Sequence, residues 1–182
     1  MLYIRNNFIV VINVLSKEGF IKDAFSQENI LRIENKSKKD ILSRIISFMS
    51  FRFIGKMEWE FILSNQVVFK IEKRVFDSSL WIKYNFNDSF YNLYRVEVSN
   101  AILPFFSSIN ILELDGNIVF RCKRNSILDY SVVDNFGIAY AIISKSTPNL
   151  VEEHYHVRID RFLDSYKNYI FLSLPVIMSV FY

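Results

Sequence analysis

The residues from Asp164 to Tyr182 constrain this chain more than any other stretch. They read Asp-Ser-Tyr-Lys-Asn-Tyr-Ile-Phe-Leu-Ser-Leu-Pro-Val-Ile-Met-Ser-Val-Phe-Tyr, with no charge after Lys167. A helix made from them is apolar on every side, so it must be enclosed by protein or by lipid. From Tyr169 to Tyr182 it would be about 21 Å long, short of the roughly 20 apolar residues that a bilayer span requires. Pro175 and two serines also count against lipid. The expectation is a helix sheathed by protein, kinked or ended at Pro175, whose ring crowds the Phe171 carbonyl and which lacks a backbone donor. Ser173 is placed to bond a carbonyl freed nearby.

A sheath is legible upstream. The segments Phe69-Lys-Ile-Glu-Lys, Tyr94-Arg-Val-Glu-Val, Phe120-Arg-Cys-Lys-Arg and Tyr140-Ala-Ile-Ile-Ser each end the second arm of an expected hairpin. Before them lie alternating runs and polar turns: Ser64-Asn65-Gln66, Asn87-Asp88, Asp115-Gly116-Asn117 and Asp134-Asn135-Phe136-Gly137. Asp-Gly between apolar runs is a strong hairpin signal. Phe8 to Leu15, Phe20 to Phe25, Asn29 to Asn35 and Glu153 to Ile159 add further strands, about a dozen in all. Leu80, Ile82, Tyr84 and Phe86 alternate with Trp81, Lys83 and Asn85, so one face of the sheet is buried and the other wet. With 18 Phe and 10 Tyr against 4 Gly and 3 Pro, the chain suits strands and is too apolar for disorder.

A meander of this length must curl and close to remove its edges. A barrel of about twelve strands is too wide to be filled by its own side chains. The all-round apolar helix and the one-faced sheet therefore explain each other. The fold class predicted is mainly β: a closed antiparallel barrel around a buried hydrophobic helix at 164–182, in one domain over 1–182. Ser37-Lys-Lys-Asp is a capping box, and Ile41, Leu42, Ile45, Ile46 and Met49 predict one short amphipathic helix from Lys38 to Ser50. Gly55 marks a bend in the extended stretch after it.

Several functional classes are disfavoured by what the chain carries. The net charge of +3 neither demands nor excludes an anionic partner, and no nucleic acid is expected. Cys122 is the one cysteine, so no internal disulfide exists and a reducing, cytoplasmic compartment fits. Arg5 and the run from Phe8 to Leu15 resemble a signal peptide, but no small-residue cleavage site follows, and Lys17-Glu18-Gly19 reads as a hairpin turn. There is no Gly-x-Ser-x-Gly context and no Gly-rich phosphate loop, so no catalytic residue and no cofactor are expected. An enzyme working at the barrel mouth is the least favoured reading.

The order of hairpins, the Arg-rich strand end in Leu-Asp-Gly-Asn-Ile-Val-Phe-Arg-Cys-Lys-Arg, and the terminal apolar helix resemble the tubby C-terminal-domain superfamily. That superfamily includes tubby-like proteins, phospholipid scramblases and LURP-one-related proteins; the resemblance is clearest from Trp59 to Tyr182 and closest to the LURP-one-related and small bacterial members. It implies a twelve-stranded barrel around a helix and, from the tubby-like domains, recognition of phosphoinositide head groups by basic residues at a membrane surface. Scramblase-like members carry a calcium-binding acidic segment near the final helix. Val151 to Arg161 lacks such a dense acidic run, so calcium binding and scrambling are not carried over.

The candidate lipid-binding residues are Lys70, Lys73, Arg74, Arg121, Lys123 and Arg124, which recur at matching places in two hairpins and would meet at one rim. Each basic residue near an anionic surface adds about 1 kcal/mol. The competing reading is a solvated strand face with Glu72 as a partner. His154 and His156 share a strand face, but zinc needs three or four ligands and no Cys or third His accompanies them, so no metal site is expected. Cys122 is expected to be buried and structural. Trp81 is expected to be partly covered by the Lys38 to Ser50 helix. The function read from this is a non-enzymatic binding module for anionic phospholipid; the alternative is a structural or regulatory protein–protein interaction domain without a lipid ligand, and the oligomeric state is left open.

Overall fold

The computed structural model describes residues 6–37, 56–74, 79–99, 108–146, 151–163 and 165–181. Twelve strands follow one another: β1 (Asn7–Asn13), β2 (Gly19–Asp23), β3 (Asn29–Asn35), β4 (Met57–Leu63), β5 (Gln66–Lys73), β6 (Ser79–Phe86), β7 (Ser89–Ser99), β8 (Ser108–Leu112), β9 (Ile118–Arg124), β10 (Asp129–Val133), β11 (Ala139–Lys145) and β12 (Glu152–Ile159). A 3-10 turn (Ser165–Asn168) leads into the helix α1 (Tyr169–Phe181). Each strand pairs antiparallel with its sequence neighbours, and β1 pairs with β12 from Asn7↔Arg158 to Asn13↔Glu152 to close the barrel. The expected helix from Lys38 to Ser50, its cover of Trp81 and the bend at Gly55 lie outside the described residues.

Period-two alternation builds the wall. Val10 and Ile12 of β1, Phe69 and Ile71 of β5, and Ile109 and Ile111 of β8 are buried, while their neighbours in sequence are mostly only partly covered. The space inside is filled by α1, whose residues 170–179 are buried without a break. That is the all-round burial expected of a helix with no polar face. At about 1.5–3 kcal/mol for each large apolar side chain fully buried, it is a principal part of the core. Among the described residues no helix is long and apolar enough to cross a membrane.

Because every pairing is antiparallel, the turns alternate between two ends of the barrel. The turns after β2, β4, β6, β8 and β10, and the exit from β12, share the end where α1 enters. Aromatic stacking fixes that entrance. Tyr166 lies flat on Tyr84 with ring centroids 4.3 Å apart, and Tyr169 stacks on Phe69 at 4.5 Å, which stacks on Phe61 at 3.8 Å. Deeper in, Phe171 meets Phe120 edge-on at 5.8 Å. Such pairs add about 0.5–1.5 kcal/mol each beyond their buried area.

Pro175 sits inside α1, which continues to Phe181. The Ser173 hydroxyl donates to the Ile170 carbonyl at 2.7 Å, one residue short of the Phe171 carbonyl that proline deprives of its partner. Ser179 repeats the arrangement on Val176 at 2.8 Å, so both buried hydroxyls are satisfied within the helix.

Turn chemistry sets the strand ends. Ser64 and Asn65, and Asn87 and Asp88, all have positive φ, as two-residue hairpins of the I′ type require. β1 stops at Asn13 rather than Leu15 because the Asn13 side-chain carbonyl accepts from Leu15 N and Ser16 N, both at 2.9 Å. β2 likewise stops at Asp23 rather than Phe25. The Asp23 carboxylate accepts from Phe25 N at 2.9 Å and Ser26 N at 2.7 Å, which throws the Phe25 ring outward. Gly19 is required where β2 meets β1, since a Cβ there would lie 1.8 Å from the Val11 carbonyl oxygen.

Candidate functional site at the helix-entrance end

With α1 filling the lumen, the outer wall and the two ends are the surfaces on which chemistry or binding is built. The basic residues singled out in the sequence divide between the two faces of the wall. Lys70 points outward, with Nζ 3.3 Å from Glu58, 3.6 Å from Glu72 and 4.5 Å from the centre of the Phe90 ring. Lys73 is three residues on and so has the opposite parity; it shares the inward face of Phe69 and Ile71 and is only 6% exposed. Arg74 is exposed, with Nε 3.9 Å from Glu72.

On β9, Arg121 and Lys123 face outward, opposite Val133 and Ser131 of β10. Arg124 lies over the Tyr130 ring and donates to the carbonyls of Ser126 and Ile127, so it closes the β9–β10 turn. β5 and β9 both finish at the end away from the helix entrance, so the two basic groups do reach one rim. They are nevertheless four strands apart, or roughly 20 Å along the wall at about 4.8 Å per strand. The structure does not bring the six residues into one outward patch, because strand order separates β5 from β9 and parity turns Lys73 inward.

The outer wall around Lys70 is an ion-pair network. Glu58 bonds Lys56 at 2.7 Å, and Glu72 bonds Lys83 at 2.8 Å. Burial pushes the Glu72 carboxyl up, but the Lys83 hydrogen bond and the charges of Lys83, Lys70 and Lys56 outweigh it and hold the group below its ordinary 4.5. Glu58 behaves the same way, with burial opposed by Lys56 and Lys70. These perturbed carboxylates sit on the wall, away from the barrel mouth.

His154 and His156 share the outward face of β12, and His154 Nε2 lies 3.1 Å from Glu152. No group of three or more His, Cys, Asp or Glu suited to a metal exists among the described residues. Cys122 is buried inside the wall, and desolvation pushes its thiol up to about 12. A shallow groove of about 370 Å³ lies outside β11, β12 and β1, between the Phe25 ring and the Ser144, His156 and Arg158 side chains. Arg158 is held there by Asp160 at 2.8 Å.

The feature that sequence reasoning missed is the entrance end itself. Of the large hydrophobics exposed among the described residues, only Leu15, Ile127 and Val151 belong to the other end. Every hairpin at the entrance carries at least one, from Leu63 at 38% exposed to Phe136 at 90%. Phe136 had a signal: an aromatic ring at the tip of Asp-Asn-Phe-Gly has no core to face. Phe86 continues the inward row of Leu80, Ile82 and Tyr84, but it stands beyond the rim and is exposed. Glu28, Asp88, Glu113 and Asp115 are exposed between these rings, so the hairpin turns are apolar and acidic, while Arg161 and the partly covered Lys167 stand at the exit from β12.

The β6–β7 hairpin rises above its neighbour at this end. β6 pairs with β7 from Ser89 to Glu97, whereas β8 pairs only from Arg95 to Ser99. Tyr91, opposite Tyr84 at the mouth, lies 5.7 Å from that ring, while Phe90 faces outward under Lys70. Two buried polar atoms flank this region without a partner among the described residues: Asn85 Oδ1, on the residue opposite Phe90, and Arg95 Nε, where pairing with β8 begins.

No protein-family model matches the chain. Over an aligned length of 139 residues, covering 63% of this chain and 12% of that protein, the sequence is 23% identical to the probable cation-transporting ATPase 9 of Tetrahymena thermophila. The chain thus corresponds to a small part of that relative's length.

Proposed function

We propose that the chain is a non-enzymatic binding module of the tubby-like barrel type that holds a protein partner on the outside of its helix-entrance end. The observation that supports it is the gathering of exposed Phe, Tyr and Leu side chains at every turn of that end. Aromatic side chains are the typical anchors of protein interfaces, and exposed apolar surface gathered in one place marks contact sites. Acidic turn residues among the rings make the same surface a poor match for anionic lipid. The test compares complexes cross-linked in cells by wild type and by Phe86→Ser with Phe136→Ser. Both positions are exposed, so melting should not change. A partner captured by wild type and lost by the variant is the expected result; identical complexes from both would overturn the reading.

Anionic lipid is the second reading, and it rests on the other end of the barrel. Arg121 and Lys123 face outward on β9, and the basic end of β5 reaches the same rim. Their separation favours weak, salt-sensitive attraction over a pocket for one head group.

A further inference from the structure

We infer that the open edge of β7 from Ser89 to Leu93 is a strand-docking site, and that its occupant is an extended segment of a partner protein in which apolar side chains alternate with basic ones. This rests on the proposed role of the entrance end and specifies what binds there. Among the described residues, β7 has a strand on one side only until Arg95 takes up Leu112. Instead of continuing alongside, the chain after Leu112 turns over Arg95, where a Cβ on Gly116 would lie 4.0 Å from Arg95 Nη2.

The hairpin geometry says which groups are open. Asn87 and Asp88 form a two-residue turn, both with positive φ, so Phe86 and Ser89 are the closing hydrogen-bonded pair. Backbone groups then alternate in direction. Those of Ser89 and Tyr91 point to β6, and those of Phe90 and Asn92 point to the side that β8 does not cover. Residues 89–92 are exposed. A row of unpaired donors and acceptors on an exposed edge is a template for one more strand.

The side chains beside the edge are held in place before anything binds. Phe90 lies under the Lys70 ammonium on the outer face, and Tyr91 leans on Tyr84 at the mouth. Fixed rings lower the ordering cost of association. Charge then selects the occupant. Residues 84–94 and 111–118 contain Asp88, Glu113 and Asp115 and no Lys or Arg, and the flanking cations are already paired, Lys70 with Glu58 and Glu72 and Arg95 with Glu97. A second copy offering its own β7 edge would set these acids against their equals, and an anionic membrane would be repelled as well. An apolar strand with basic residues on alternate positions meets the edge, the rings and the acids together.

The probes are two labelled ten-residue peptides, one alternating valine and lysine, the other valine and glutamate, added to the full chain. Fluorescence anisotropy reads binding and amide hydrogen exchange reads its place. The valine–lysine peptide should bind, slow exchange at Phe90 and Asn92 about tenfold or more, and leave Ser89 and Tyr91 unchanged. The valine–glutamate peptide should not bind, and Glu113→Lys with Asp115→Lys should reverse the preference. Equal binding of both peptides, binding without protection at Phe90 and Asn92, or a concentration-dependent dimer protected at those amides would each overturn the inference. If the cross-linked partner is still lost on Phe86 and Phe136 substitution, the failure belongs to strand docking alone and the binding module stands.

Discussion

The Lys17 ammonium donates to the Ser179 carbonyl at 2.7 Å, joining the first hairpin turn to the last turn of the central helix across 162 positions of sequence. The final carbonyls of a helix have no intrahelical donors, and its C-terminus carries partial negative charge. Lys17 answers both from a turn where its own φ is 57°. Burial, partly countered by the nearby Glu153 charge, lowers its pKa. Replacing Lys17 with Met should cost about 1 kcal/mol, read as a fall in the thermal midpoint followed by circular dichroism. An unchanged midpoint would show that the cap contributes nothing.

Loss of the helix should be far more severe than loss of its cap. A chain stopped at Lys167 leaves the apolar inner wall facing water, at about 25 cal/mol for every Å² uncovered. It should be recovered only in aggregates, or as a dye-binding species without a cooperative melt. A soluble product with a sharp transition would end the reading of α1 as the core of the barrel.

The hairpins and the central helix were readable because each leaves a local mark: a turn residue able to adopt positive φ, an alternation of period two, a helix without a polar side. What was not readable depends on partners. Nothing local says that β9 lies four strands from β5, so matching basic strand ends looked like neighbours. For Lys73 the sequence is enough, since its odd spacing from Lys70 already assigns it to the other face. Phe25 reads as part of a strand because its apolar character masks the Asp23 carboxylate that turns the chain first. The open edge of β7 arises from unequal pairing of one strand with its two neighbours, and no single-strand pattern carries that information.

Acid should loosen the outer wall through Glu72. Its carboxyl is held below 4.5 in the folded state, so the folded protein binds this proton less readily than the unfolded chain. The stability it contributes is full above about pH 4.5 and is lost as pH falls through the folded value. Glu72→Gln should cost about 1–2 kcal/mol at pH 7 and give a flatter dependence of the urea midpoint between pH 3 and 5. Parallel curves for wild type and variant would assign the acid sensitivity elsewhere.

Lipid attraction has its own comparison. Vesicles containing phosphoinositide should sediment the wild type weakly, and less so as salt rises, while Arg121→Glu with Lys123→Glu should sediment less at every salt concentration. The two proteins should melt alike, since both side chains face outward. Equal sedimentation, or none by either protein, would leave the entrance end as the place to look for a partner.

The pairing of β1 with β12 has a consequence for synthesis. The first strand of the barrel has to wait for the twelfth before one of its edges is covered, and the space they enclose is filled only by residues made later still. While the barrel is being made, β1 therefore stays an open edge until β12 has emerged from the ribosome. Native closure becomes a late event dominated by distant contacts, which makes folding slow and leaves the incomplete chain open to aggregation or to chaperone capture.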